Sequence, residues 1–116
     1  MVISESEQRT TRTLAGPSQG SAEISTWRVE IGADASAPVH IIDKEQVWMP
    51  VSGMFEAVVD GDAEQVKAGQ AIVLPAGKVR QLTAVGGPAV ALVAMAVGGM
   101  AMLPGSQDKV PLPWAR

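Results

Sequence analysis

The chain has 116 residues, 47% of them hydrophobic, with a formal net charge of −3 and no cysteine. That length holds one domain around one core; the missing basic excess argues against nucleic acid and anionic membrane surfaces as partners, and the missing cysteines exclude disulfides, thiolate metal sites and a cysteine nucleophile. The longest apolar run, AVALVAMAV, is nine residues, against roughly 20 for a membrane-spanning helix, and the opening MVISESEQRTTRTLAGPSQGS lacks the apolar core of a signal peptide, so a cytoplasmic protein with no membrane association is expected.

Residues 1–20 are polar and read as a flexible N-terminal arm, with a single barrel and its C-terminal tail over 21–116. From there the pattern has period two. In ISTWRVEIGAD, Trp27, Val29 and Ile31 share one face and Ile24 and Thr26 the other, which predicts a strand ending at a turn. EQVWMPVSG and MFEAVVDGDAEQVKAG follow and are expected to pair, with Asp60-Gly61 as a two-residue hairpin turn that tolerates positive φ. QAIVLPAG and KVRQLTAVGG are two further short strands punctuated by Pro75-Ala76-Gly77 and Gly86-Gly87, and PAVALVAMAVGG is a last long strand. No segment has a sustained helical period. At least seven short strands, with 12 Gly and 8 Pro in the chain, predict an antiparallel all-β sandwich or barrel. The tail, GSQDKVPLPWAR, carries Leu112 and Trp114 and is expected to dock on the barrel.

Two stretches carry a resemblance. His40 stands two residues before Ile42 and six before Gln46, and Gly53 follows at a fixed distance; Gly69, Pro75 and Gly77 then recur with Arg80 and Ala84 behind them. This framework resembles the motif pair of small single-domain cupins, G-x5-H-x-H-x3-E-x6-G and G-x5-P-x-G-x2-H-x3-N, with Gly32 opening the first motif after a slightly longer spacer. The resemblance covers about residues 24–97 and implies an all-β antiparallel jelly-roll, a double-stranded β-helix barrel, with a metal at its centre. The ligand positions depart from the family: Ile42 replaces its second histidine, Gln46 its glutamate, Arg80 its third histidine and Ala84 its asparagine. One histidine, an amide and a permanent cation do not make a conventional centre for iron, manganese, zinc or nickel. The motif is degenerate, and neither metal nor other cofactor is expected.

If the alternation holds, His40, Ile42, Gln46 and Trp48 face the interior from one hairpin, Arg80, Leu82 and Ala84 from the opposite strand, and Phe55, Ala57 and Val59 line the same cavity. An apolar concavity with a cation, a titratable ring and an amide is the usual anatomy of a small-molecule site. It points to an organic anion: Arg80 to hold a carboxylate or enolate oxygen, His40 to move a proton, and Trp48 to stack on the ligand. The expected ligand-binding residues are therefore His40, Ile42, Gln46, Trp48, Phe55, Arg80 and Leu82, and the expected catalytic pair is His40 and Arg80. Blander readings stay open. His40 and Gln46 are also explained as structural groups, Trp48 as core, Arg80 as a pocket filler paired with Glu45 or Glu56, and the scattered methionines as adaptable filler.

Three functions compete: a non-catalytic module that binds a small organic molecule, a metal-independent isomerase or cyclase using His40 and Arg80, and a metal-dependent cupin enzyme with an atypical ligand set. Val47, Met49, Met54 and Val58 are left facing outward as one apolar patch, which predicts a homodimer.

Overall fold

Alternating burial builds the structure, a computed structural model that describes residues 3–6 and 8–116, with side chains from residue 8 onward. Its described residues form twelve strands and two short 3-10 turns, with no α-helix and hence no helix long and apolar enough to cross a membrane. In β3 (Ile24–Ile31), Trp27, Val29 and Ile31 are buried and Ile24, Arg28 and Glu30 are not. The same two-residue rhythm buries Gln46, Trp48 and Pro50 of β5 (Gln46–Ser52), and Arg80, Leu82 and Ala84 of β9 (Val79–Ala84). Side chains pointing alternately up and down a pleat give each strand one core face.

Two six-stranded antiparallel sheets enclose that core. The first has the order β1-β2-β3-β10-β5-β8, with β1 (Ile3–Ser6), β2 (Arg9–Ala15), β8 (Ile72–Leu74) and β10 (Ala89–Ala96). The second has the order β12-β11-β4-β9-β6-β7, with β4 (His40–Ile42), β6 (Met54–Val59), β7 (Asp62–Lys67), β11 (Met100–Met102) and β12 (Val110–Pro111). Sequence neighbours such as β8 and β9 lie in opposite sheets, the crossing pattern of a jelly roll. The all-β antiparallel expectation therefore holds.

Three expectations need correction. The N-terminal segment is not an arm from end to end: Arg9–Ala15 is strand β2, hydrogen-bonded along β3 from Arg9↔Ile31 to Ala15↔Thr26. Its polar look is misleading because Thr11 and Thr13 turn inward and are buried, and β-branched threonine suits a strand. Next, 45–53 and 54–69 do not pair. β5 runs between β10 and β8, whereas β6 pairs with β7 and β9 in the other sheet. Asp60-Gly61 does close a hairpin, joining β6 to β7 with Val59 opposite Asp62 and φ of 48° and 87° at the turn residues. Lastly, the outward apolar residues form no single patch. Val47 and Met49 stand on the outer face of the first sheet, Met54 and Val58 on that of the second.

Gly53 is the hinge between β5 and β6. Its φ is +73°, and a Cβ there would lie 2.5 Å from the Pro88 carbonyl oxygen and 2.9 Å from Ala89 Cα, both backbone atoms. Gly53→Ala is expected to lower unfolding free energy by at least about 1–3 kcal/mol from left-handed backbone strain. Urea denaturation checks this, and a change below about 0.5 kcal/mol, the size of an ordinary surface substitution, would contradict the close approach.

Candidate functional site

Arg80 reaches the interior because of the turn before it. Gly77, with φ of +79°, passes the chain from β8 into β9, and its N–H donates to the Ile42 carbonyl at 2.9 Å, tying the turn to β4. β9 then pairs antiparallel with β4 so that Arg80 stands directly opposite His40. His40 and Arg80 thus come from adjacent strands of one sheet, while Gln46 and Trp48 face them from β5 of the other.

A cavity opens between the sheets at this point, with about 450 Å³ of empty space once the open solvent at its entrance is counted. His40, Ile42, Gln46, Trp48, Arg80 and Leu82 all line it. Phe55 does not. It lies fully buried against Trp48, ring centroids 5.6 Å apart and planes at 79°, an edge-to-face pair that backs the pocket wall. Ala57, Val59 and Ala84 belong to that same inner layer or its surroundings and do not line the cavity either. Inward direction alone does not distinguish a residue that reaches the free space from one that fills the core beneath it.

Gln46, 1% exposed, organises the polar end. Its Oε1 accepts from Trp48 Nε1 at 3.0 Å and from Arg80 Nη2 at 2.9 Å, and its Nε2 points at Met95 Sδ, 3.4 Å away. Two donors on Oε1 fix the amide's orientation and use its lone pairs. Arg80 is 5% exposed. Among the described residues the ion pairs are Arg28–Glu30, Lys78–Asp60 and Lys109–Asp43, so neither Glu45 nor Glu56 neutralises Arg80 as a sequence reading allowed. Its Nε has no hydrogen-bond partner among the described residues. Burial lowers its pKa to about 10, which still leaves a full cation at neutral pH.

His40 is the titratable member. Burial first, then the positive charges of Arg80 and Arg9, lower its pKa to about 4, so the ring is neutral at pH 7. Its Nδ1 is buried without a partner among the described residues. Because the folded protein resists this proton and the unfolded chain takes it near pH 6.5, stability is full above about pH 6.5 and falls as pH drops toward 4. Thermal melts over that range are expected to show the fall in the parent protein and a shallower one in His40→Gln; parallel curves would contradict the buried, neutral ring.

Further parts of the lining come from segments that sequence reasoning did not assign to the site. Arg9 and Thr11 enter from β2, Trp27 and Val29 from β3, and Leu112 and Trp114 from the tail. The inward alternation of Trp27 and Val29 was visible in the sequence; nothing local pointed to Arg9. The tail docks as expected. Thr13 Oγ1 donates to the Trp114 carbonyl at 2.7 Å and Ser25 Oγ to the Ala115 carbonyl at 2.6 Å, pinning the 3-10 turn Pro113–Ala115 over the barrel. The Arg9 guanidinium carbon lies 5.4 Å from the centre of the Trp114 ring, a cation–π contact.

A metal ion does not fit these residues. No cluster of three or more His, Asp or Glu side chains suited to a metal occurs among the described residues. Gln46 Oε1 is already occupied by two donors, one of them the Arg80 guanidinium itself. A cation beside that fixed positive charge meets repulsion of several kcal/mol, about 4 kcal/mol at 4 Å and moderate effective dielectric.

No protein-family model matches the chain, and no curated protein resembles it in sequence. Solved structures resemble it in fold. The polyketide cyclase RemF from Streptomyces resistomycificus superposes with a TM-score of 0.76 at 21% identity, over 88% of this chain and 75% of that one. A cupin 2 domain-containing protein from Halorhodospira halophila gives 0.78 at 21% identity, over 90% and 76%. A sugar phosphate isomerase of the cupin superfamily from Silicibacter pomeroyi gives 0.72 at 19% identity, over 89% and 69%. Two antiparallel sheets in jelly-roll order, the glycine turns that switch between them, and these likenesses together identify the chain as a small protein of the cupin fold.

Proposed function

We propose that this protein binds a small organic anion in the barrel cavity through Arg80, without a conventional metal centre. The observation that carries the reading is a buried guanidinium with no carboxylate partner among the described residues, facing a cavity that also receives Arg9. An isolated buried charge is costly, and a carboxylate ligand offsets that cost with charge-assisted hydrogen bonds. Most of the remaining wall is apolar and includes Trp27, Trp48 and Trp114, which suits an unsaturated or aromatic acid. Titration calorimetry with matched pairs of small aromatic acids and their primary amides tests this. The acids are expected to bind at least about tenfold more tightly than the amides, the share of one charge-assisted hydrogen bond; equal affinities would remove the anion reading.

A second reading, a metal-independent isomerase or cyclase, rests on His40. A neutral ring with an unpartnered Nδ1, opposite the cation that would hold an enolate or carboxylate, has the makings of a general base. The neighbours in fold include a polyketide cyclase and a sugar phosphate isomerase. His40→Gln separates the two: an enzyme loses turnover and keeps affinity, whereas a binding module has no turnover to lose.

We also propose a homodimer through the outer face of the first sheet, where Met49 lies opposite Leu92 and Val47 lies between Ala94 and Val73. Met49→Glu is expected to yield monomers in light scattering; a monomer before substitution would contradict this face.

A further inference from the structure

Three buried side-chain polar atoms have no hydrogen-bond partner among the described residues: His40 Nδ1, Arg80 Nε and Trp114 Nε1. All three residues line the one cavity, although they come from β4, β9 and the C-terminal 3-10 turn. Buried polar groups are nearly always satisfied, so orphans gathered around one space are free to pair with the polar atoms of a bound molecule. Arg80 Nε–H and Trp114 Nε1–H can only donate, and therefore ask for two acceptors. The two residues differ in burial and in neighbours: Arg80 is buried and held by Gln46, while Trp114 is half-buried and stands beneath the Arg9 guanidinium.

Resting on the anion-site reading above, we infer that the ligand carries two separate oxygen functions, a carboxylate held by Arg80 and a second acceptor received by Trp114 Nε1 and the nearby Arg9, so that Arg9 and Trp114 decide specificity. The fitting chemical class is a flat dicarboxylic acid, or a hydroxy- or oxo-carboxylic acid, of about one ring in size. A simple monocarboxylate satisfies Arg80 and leaves the Trp114 N–H unpaired. A site that hydrogen-bonds an oxygen discriminates strongly against the analogue lacking it, because its own buried donor is then stranded.

The test uses the whole protein and benzoate as the one-function reference. Its comparators are the three hydroxybenzoates and the three benzenedicarboxylates, which carry the second oxygen group at ortho, meta and para positions. Calorimetry is expected to find at least one comparator bound about tenfold or more tightly than benzoate, the effect of one buried hydrogen bond. Trp114→Phe keeps an aromatic ring while removing the N–H; it should erase that advantage, so that the preferred comparator binds no more tightly than benzoate to the same variant, and Arg9→Gln should weaken the preferred comparator more than benzoate. Benzoate binding with no preference for any comparator, or a preference that survives in Trp114→Phe, would overturn this inference and leave the anion site standing. No binding by any of the seven acids would overturn both.

Discussion

Arg80→Met is expected to make the ligand-free protein more stable, by about 1–4 kcal/mol, while abolishing anion binding. The sign follows from the environment. Arg80 is almost entirely buried, lacks a carboxylate partner among the described residues, keeps its charge at neutral pH and leaves Nε unsatisfied. Methionine of similar length fills the same space among Ile42, Leu82 and Trp48 without the desolvation cost of a cation. Gln46 Oε1 loses one donor but keeps Trp48 Nε1, so no new orphan acceptor results. A residue retained against stability is the pattern expected of a functional group. Chemical denaturation gives the stability, calorimetry the affinity; a less stable Arg80→Met protein would mean that Arg80 is a structural group.

Phe55→Ala has the largest expected effect in the opposite direction, a loss of about 3–5 kcal/mol. The ring is fully buried and backs Trp48, which forms a wall of the cavity and donates to Gln46. Its removal leaves a void beneath that wall, and close-packed β strands on either side restrict collapse into it. Denaturant midpoints measure the loss, and a change under about 1 kcal/mol would contradict the packed layer behind the site. Ligand affinity is expected to weaken as well, through Trp48 and Gln46, which marks Phe55 as a residue that acts on the site through its neighbours.

The cupin pattern was legible because its signals are local. Gly69, Pro75 and Gly77 carry turn chemistry in their own identities, and Gly69 and Gly77 do adopt positive φ. The inward set Gln46, Trp48, Arg80 and Leu82 followed from a two-residue alternation that a pleated strand imposes. What stayed hidden depends on long-range contact. β2 reads as polar because Thr13 buries its hydroxyl against the Trp114 carbonyl, 101 residues away in sequence. The place of Arg9 beside Trp114 depends on both chain ends meeting on one sheet. Whether β5 pairs with β6 turns on Gly53, where the turn sends the chain to the opposite sheet instead of back along the same one. Phe55 was assigned to the cavity because alternation gives a direction and no depth.

The most direct measurement of the central claim is denaturation of the parent protein and of Arg80→Met, each with and without the tightest-binding small aromatic acid. The account predicts that the acid stabilises the parent protein by mass action, that it leaves Arg80→Met unmoved, and that Arg80→Met is the more stable of the two without ligand. Equal stabilisation of both proteins by the acid, with Arg80→Met the less stable, would contradict it.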